Sequence, residues 1–123
     1  ILDCGFSSVY KLMVKQTKDM IKVDAHLPVL IMNLYCILFA GFSMFKASPK
    51  KALSKVSIPC FFIHGTEDSV IPLSHSKENY EACGSKIKEF AFIEGAEHGM
   101  SYYEDYPNLE QRVINFIENA IKE

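Results

Sequence analysis

The run IPCFFIHGTEDSVIP, residues 58–72, decides the fold. Its CFFIH segment contains no Lys, Arg, Asp or Glu, and Gly65 closes it, which is the pattern of a strand buried on both faces of a sheet. A second strand-like run, KIKEFAFI at 86–93, follows Gly65 after twenty intervening residues and ends in the uncharged FAFI. Between them Pro72 opens a polar helical stretch, LSHSKENYEAC, with Gly84 placed where a helix C-cap would stand. Beyond the second strand, Pro107 opens a last helix. There Leu109, Val113, Phe116, Ile117, Ala120 and Ile121 fall on one apolar stripe. Strand, helix, strand and helix in this order predict an α/β protein with a parallel sheet and crossover helices.

Working back toward the N-terminus, ILD followed by Cys4-Gly5 reads as the end of a buried strand entering a turn. Residues 8–23 place Val9, Leu12, Met13, Met20 and Val23 at mostly helical intervals, with lysines between them. The stretch LPVLIMNLYCILFAGFSMF, residues 27–45, carries no charge at all. As one helix it would reach about 28 Å, enough to cross a bilayer. Three details weigh against a span. Pro28 suits a first helical turn, Asn33 would be stranded in lipid, and Gly41 with Ser43 marks an earlier helix end. The expectation is instead a helix packed over a site, its apolar face lining an acyl pocket, with no stable membrane span. Residues 46–57 form a polar connector with one helical turn after Pro49.

Composition narrows the function classes. The 123 residues suit one domain at most, and 49% hydrophobic residues exclude a disordered chain. A formal net charge of -2 gives no argument for nucleic acid as a partner. Cys4, Cys36, Cys60 and Cys83 have no C-x-x-C spacing and lie among apolar neighbours, which predicts reduced, buried thiols rather than a zinc site or a disulfide framework.

Asp68 and His98 carry the chemistry. Each follows a predicted parallel strand, and loops at the carboxyl ends of such strands meet at one crevice. Alone, an Asp after a strand is a common turn cap and a Gly-flanked His a common loop residue. Together, in this order and with these flanks, they read as a catalytic pair. Of the other candidates, His64 reads as structural at a strand end and His75 as solvent-facing on a polar helix. Asp3 reads as a tie for the turn after its strand, and His26 with Asp24 is too sparse for a metal.

The motif HGTEDSVIP resembles the acid-bearing strand and loop of serine α/β-hydrolases, whose pattern is strand, H-G, two residues, Asp and V-x-P. IEGAEHGM resembles their histidine loop after the last strand. The opening ILDCGFSS resembles the strand that follows the nucleophile helix, so the likeness covers essentially the whole chain, and it is nearest to bacterial esterase-like hydrolases of the bud-emergence type. The resemblance implies a Ser-His-Asp triad in which Asp68 is the acid and His98 the base. It implies the C-terminal portion of one α/β-hydrolase domain across 1–123, with a helical lid or connector at 8–50. The acid strand, histidine loop and terminal helix then occupy 57–123. The nucleophile half is absent, because no G-x-S-x-G occurs. Ser7 and Ser8 have Phe6 and Val9 where the elbow needs small residues, and Cys4 lacks the elbow pattern.

The implied activity is hydrolysis of a carboxylic ester, thioester or amide, with the serine and the oxyanion-hole donors outside these residues and the chain alone inactive. Expected partners are a small-molecule ester or amide, the missing N-terminal half, and a second copy joined through an unpaired strand edge or the 27–45 helix. No cofactor or metal is implied, and the expected location is cytoplasmic. Two other readings stay open: a non-catalytic interaction module that kept the hydrolase scaffold, and a membrane-anchored piece using residues 27–45.

Overall fold

The computed structural model describes residues 1–122. Three strands form one parallel sheet in the order β1 (Leu2–Asp3), β2 (Cys60–Gly65), β3 (Lys88–Ile93). Leu2 pairs with Phe62 and Asp3 with Ile63, while Cys60 through Gly65 run in register with Lys88 through Ile93. Every residue of β2 is buried, as its uncharged sequence predicts for a central strand.

Alternation along β2 divides the core between two faces. Phe61 and Ile63 join Ala91, Ile93 and Leu109, and pack against Val113 and Phe116 of the last helix, α6 (Asn108–Lys122). Cys60 and Phe62 face the other way, toward Leu53, Tyr80 and Cys83. These come from the short helix α3 (Pro49–Leu53) and from α4 (Leu73–Ala82) with its C-cap. An additional one-turn helix, α5 (Ser101–Glu104), follows the histidine loop and has no periodic signal in the sequence.

Between β1 and β2 stand two longer helices, α1 (Val9–Ile21) and α2 (His26–Ala40). Ser8 caps α1 by accepting the Lys11 N–H, and Lys22 ends it in the left-handed region at φ 58°. Gly41, at φ 72°, ends α2 where the sequence predicts. Asn33 is buried because its Oδ1 accepts the Met44 N–H at 2.9 Å and the Ser43 hydroxyl at 3.1 Å, which folds the chain back under α2. Only Val29 and Asn33 of α2 are buried; Leu27, Leu30, Ile31, Leu34, Leu38 and Phe39 are exposed. Thus α2 rests on α1 and turns most of its apolar surface outward. No single helix is long and apolar enough to cross a membrane, and the pair His26–Ala40 and Met44–Leu53 is bent by 103°.

Gly84 differs from expectation. The helix before it ends on Cys83 in extended backbone, so Gly84 is not a left-handed cap. A Cβ there would lie 2.7 Å from the Ser54 carbonyl oxygen, and the Gly84 N–H donates to Leu53 O at 3.0 Å. Glycine is needed for close approach of the α3 end, not for its dihedral freedom.

Candidate active site

Asp68 sits three residues past β2, where the chain turns toward α4. Its Oδ1 accepts the backbone N–H groups of Val70 at 2.9 Å and Ile71 at 2.8 Å, so the aspartate shapes its own loop. Its Oδ2 faces His98 Nδ1 at 2.8 Å and His64 Nε2 at 3.3 Å. Burial pushes the Asp68 carboxyl up, but hydrogen bonds from His98, from the Ile71 N–H and from the Cys4 thiol outweigh it and hold the group below the usual carboxylate range. A buried side chain therefore stays an anion.

His98 lies in the turn between β3 and α5, bracketed by Gly95 at φ 76° and Gly99 at φ 71°. These two positive dihedrals bend the loop back over the end of β2. The loops of the acid and the histidine are stitched by Glu67 N–H to Ala96 O at 3.1 Å, and by Thr66 N–H to Ile93 O at 2.9 Å. Facing an ionised carboxylate, His98 Nδ1 must carry the proton, which leaves Nε2 as a free base. The ring is about 41% exposed, and Nε2 has no hydrogen-bond partner among the described residues. The structure therefore brings Asp68 and His98, 30 positions apart, into direct contact.

The other sequence candidates fall out differently. His64 is structural: its Nε2–H points to Ile71 O at 2.9 Å, and Nδ1 meets the Ser76 hydroxyl at 2.6 Å. Asp3 accepts a long, 3.5 Å bond from the Ser101 hydroxyl, tying the β1 turn to α5. The backbone N–H of His26 is capped by Asp24 at 2.8 Å, and the imidazole meets Tyr10.

His75 is not solvent-facing; it is 5% exposed. The turn from Gly5 to Ser8 folds down onto α4 and covers that face. Asn79 donates to the carbonyls of Gly5 and Phe6, and Ser76 donates to Gly5 O. Ser7, fully buried, sends its backbone N–H to His75 Nδ1 at 3.2 Å, and its hydroxyl lies 2.9 Å from the same nitrogen. The hydroxyl also donates to Glu78 at 3.1 Å. This serine is engaged in a structural cluster and does not meet His98. Ser8 is spent as the α1 cap.

Cys4 is the residue whose placement the sequence did not foretell. It extends β1 through its N–H to Ile63 O at 3.1 Å, then turns at φ 47°. The turn carries its thiol to the Asp68–His98 pair, with one ligand atom from each residue within 4.8 Å of the others. Burial pushes that thiol up to about 11, so it is no ready nucleophile. All four cysteines are free, Cys4, Cys60 and Cys83 being buried.

The family model described as serine aminopeptidase, S33, matches residues 14–105. The chain belongs to this α/β-hydrolase family. It is 25% identical over 119 residues to the uncharacterized protein YqkD of Bacillus subtilis, covering 97% of this chain and 39% of that protein. Over 69 residues it is 38% identical to human alpha/beta hydrolase domain-containing protein 17C, covering 56% of this chain and 20% of that one. The solved esterase RhEst1 from Rhodococcus sp. ECU1013 superposes with a TM-score of 0.52 at 26% identity, over 63% of this chain and 28% of that one. BpoC from Mycobacterium tuberculosis H37Rv, at 12% identity, shares the fold with a TM-score of 0.57 across 97% of this chain and 57% of that one. The chain thus spans about a fifth to two fifths of the curated relatives it matches. These likenesses carry the α/β-hydrolase superfamily, and not the narrower bud-emergence-type subgroup.

Proposed function

We propose that Asp68 and His98 are the acid and base of a Ser-His-Asp relay that hydrolyses a carboxylic ester, thioester or amide. The nucleophilic serine is contributed by sequence outside these 123 residues. The observation that carries this reading is the 2.8 Å contact between His98 Nδ1 and the Asp68 carboxylate, with Nε2 left open. In that geometry Nε2 accepts the serine proton as the hydroxyl attacks the carbonyl, then returns it to the leaving group. Asp68 fixes the tautomer and stabilises the imidazolium without itself taking the proton. The oxyanion-hole donors, like the serine, belong to the remainder of the hydrolase, and the 123 residues alone are inactive. The esterase likeness supports ester chemistry, and the apolar α2 supports an apolar acyl group.

The test is made on the longer protein that contains this chain. Asp68→Asn keeps the shape but favours the wrong imidazole tautomer, and should lower kcat on a p-nitrophenyl ester about 10⁴-fold. His98→Ala should abolish turnover to a similar degree. A parent protein that neither turns over esters nor reacts with a fluorophosphonate probe would favour a scaffold retained for interaction, and the relay reading would fall.

A further inference from the structure

The relay uses two of the three chemical groups gathered at this corner. The third, the Cys4 thiol, has no part in proton transfer. It is held at the site by a left-handed turn, an uncommon conformation for a residue other than glycine. Thiol, carboxylate and imidazole are the three donor types that zinc accepts, at about 2.3 Å for sulfur and about 2.0–2.2 Å for nitrogen and oxygen. In a tetrahedral site those bond lengths put neighbouring ligand atoms roughly 3.3–3.6 Å apart.

The present spacing lies close to that. His98 Nδ1 and Asp68 Oδ2 are 2.8 Å apart and need to open by about half an ångström, and no pair, all lying within 4.8 Å, needs to close by more than about 1.2 Å. The movement can be taken up by one residue. Cys4 and Asp68 are buried just beyond the ends of β1 and β2, whereas His98 is on a glycine-bracketed loop with an exposed ring. That exposure also leaves an entry path from solvent.

We propose that Cys4, Asp68 and His98 form a binding site for a thiophilic divalent cation of the zinc type. On binding, the Cys4 S–H bond breaks, a metal–sulfur bond forms, and the proton leaves to solvent. The imidazole stays neutral by changing tautomer: Nδ1 gives up its proton to solvent and binds the metal, and Nε2 takes a proton from solvent. Occupancy removes both the free Nε2 base and the Asp68 partner, so the cation is an inhibitor of the relay. That consequence rests on the catalytic reading above; the site itself does not.

Cobalt(II) is the probe, because it occupies zinc sites and reports its ligands optically. Titrated into the reduced chain, it should give a saturable thiolate-to-cobalt charge-transfer band with the visible bands of a tetrahedral site, both erased by one equivalent of zinc. Loss of a supporting outer-shell group costs metal sites about 10–100-fold in affinity, so loss of a direct ligand should cost about 100-fold or more. Cys4→Ser should remove the charge-transfer band. His98→Asn, at an exposed position that leaves the core intact, should weaken binding to the same degree. A band that survives in Cys4→Ser comes from Cys36, Cys60 or Cys83 and overturns the proposal, as does affinity unchanged in a folded His98→Asn chain. A parent protein without hydrolase activity whose chain still shows the Cys4-dependent band refutes the relay and leaves the metal site standing.

Discussion

Gly65→Ala is the substitution that best tests how the catalytic corner is held. Gly65 ends β2, three residues before the acid, and a Cβ built on it would lie 2.1 Å from the Ala96 carbonyl oxygen and 2.7 Å from its carbon. Real Cβ atoms essentially never approach below 3.0 Å, so the Ala96 peptide must retreat by about 1 Å. That carbonyl accepts the Glu67 N–H at 3.1 Å and belongs to the loop that carries His98 two residues on. Opening the 2.8 Å His98–Asp68 contact by about 1 Å takes it past hydrogen-bond range. Overpacking costs about 1–3 kcal/mol and the lost loop bond about 1 more. For a chain of this size that lowers Tm by about 8–16 °C. Thermal unfolding followed by circular dichroism measures the cost, and proton NMR follows the downfield Nδ1–H resonance of His98. A variant that melts with the wild type and keeps that resonance refutes the claim that the two loops are locked by backbone contact at Gly65.

Three further outcomes follow from the same geometry. Burial holds the His75 imidazole below its ordinary 6.5, against the pull of Glu78 and with Lys11, Lys15 and His64 adding to the lowering. Between the lowered value and 6.5 the unfolded chain binds more protons, so the stability His75 contributes is full above pH 6.5 and is lost as pH falls below it. Melts at mildly acidic and neutral pH should differ more for the wild type than for His75→Gln; an equal difference would place the titration elsewhere. Phe61→Ala empties the space between β2 and Phe116 and should cost about 3–5 kcal/mol by urea denaturation, whereas a loss under 1 kcal/mol would mean the sheet–α6 core collapses freely. The exposed apolar face of α2 should drive self-association of the isolated chain, and Leu30→Glu with Leu34→Lys should shift light scattering toward monomer. A wild-type chain already monomeric at micromolar concentration contradicts that.

What the sequence made legible and what it hid have different physical sources. An uncharged, β-prone run bounded by Gly and Pro can be buried in few ways, which made β2 readable, and the β-prone FAFI run did the same for β3, with Asp68 and His98 just beyond them. Gly41 was readable as a helix stop because a left-handed terminus selects glycine. Gly84 misled because glycine is also used where two backbones nearly touch, and spacing cannot tell the two apart. His75 misled because the surface that covers it, the Gly5–Ser8 turn, lies 68 residues away in sequence and has no periodicity of its own. Cys4 was visible as a residue after a strand. Its thiol's position depends on a φ of 47°, which composition does not encode.

Two of the sets of acid, imidazole and neighbouring polar group among the described residues differ in a way that shows what a relay requires. Ser7, His75 and Glu78 contain all three residue types of a triad within hydrogen-bond reach. There the serine bridges the other two: its hydroxyl lies between imidazole and carboxylate, and its own N–H occupies His75 Nδ1. Glu78 is held below its usual range chiefly by Lys11, and Lys50 lies near it. A proton taken from that buried hydroxyl would reach no substrate. At Asp68 and His98 the imidazole is the bridge: one nitrogen is fixed by a buried anion and the other is presented to solvent. Burying the acid and exposing the far side of the base is what turns the same residue types from a structural clamp into a group that can pass a proton outward.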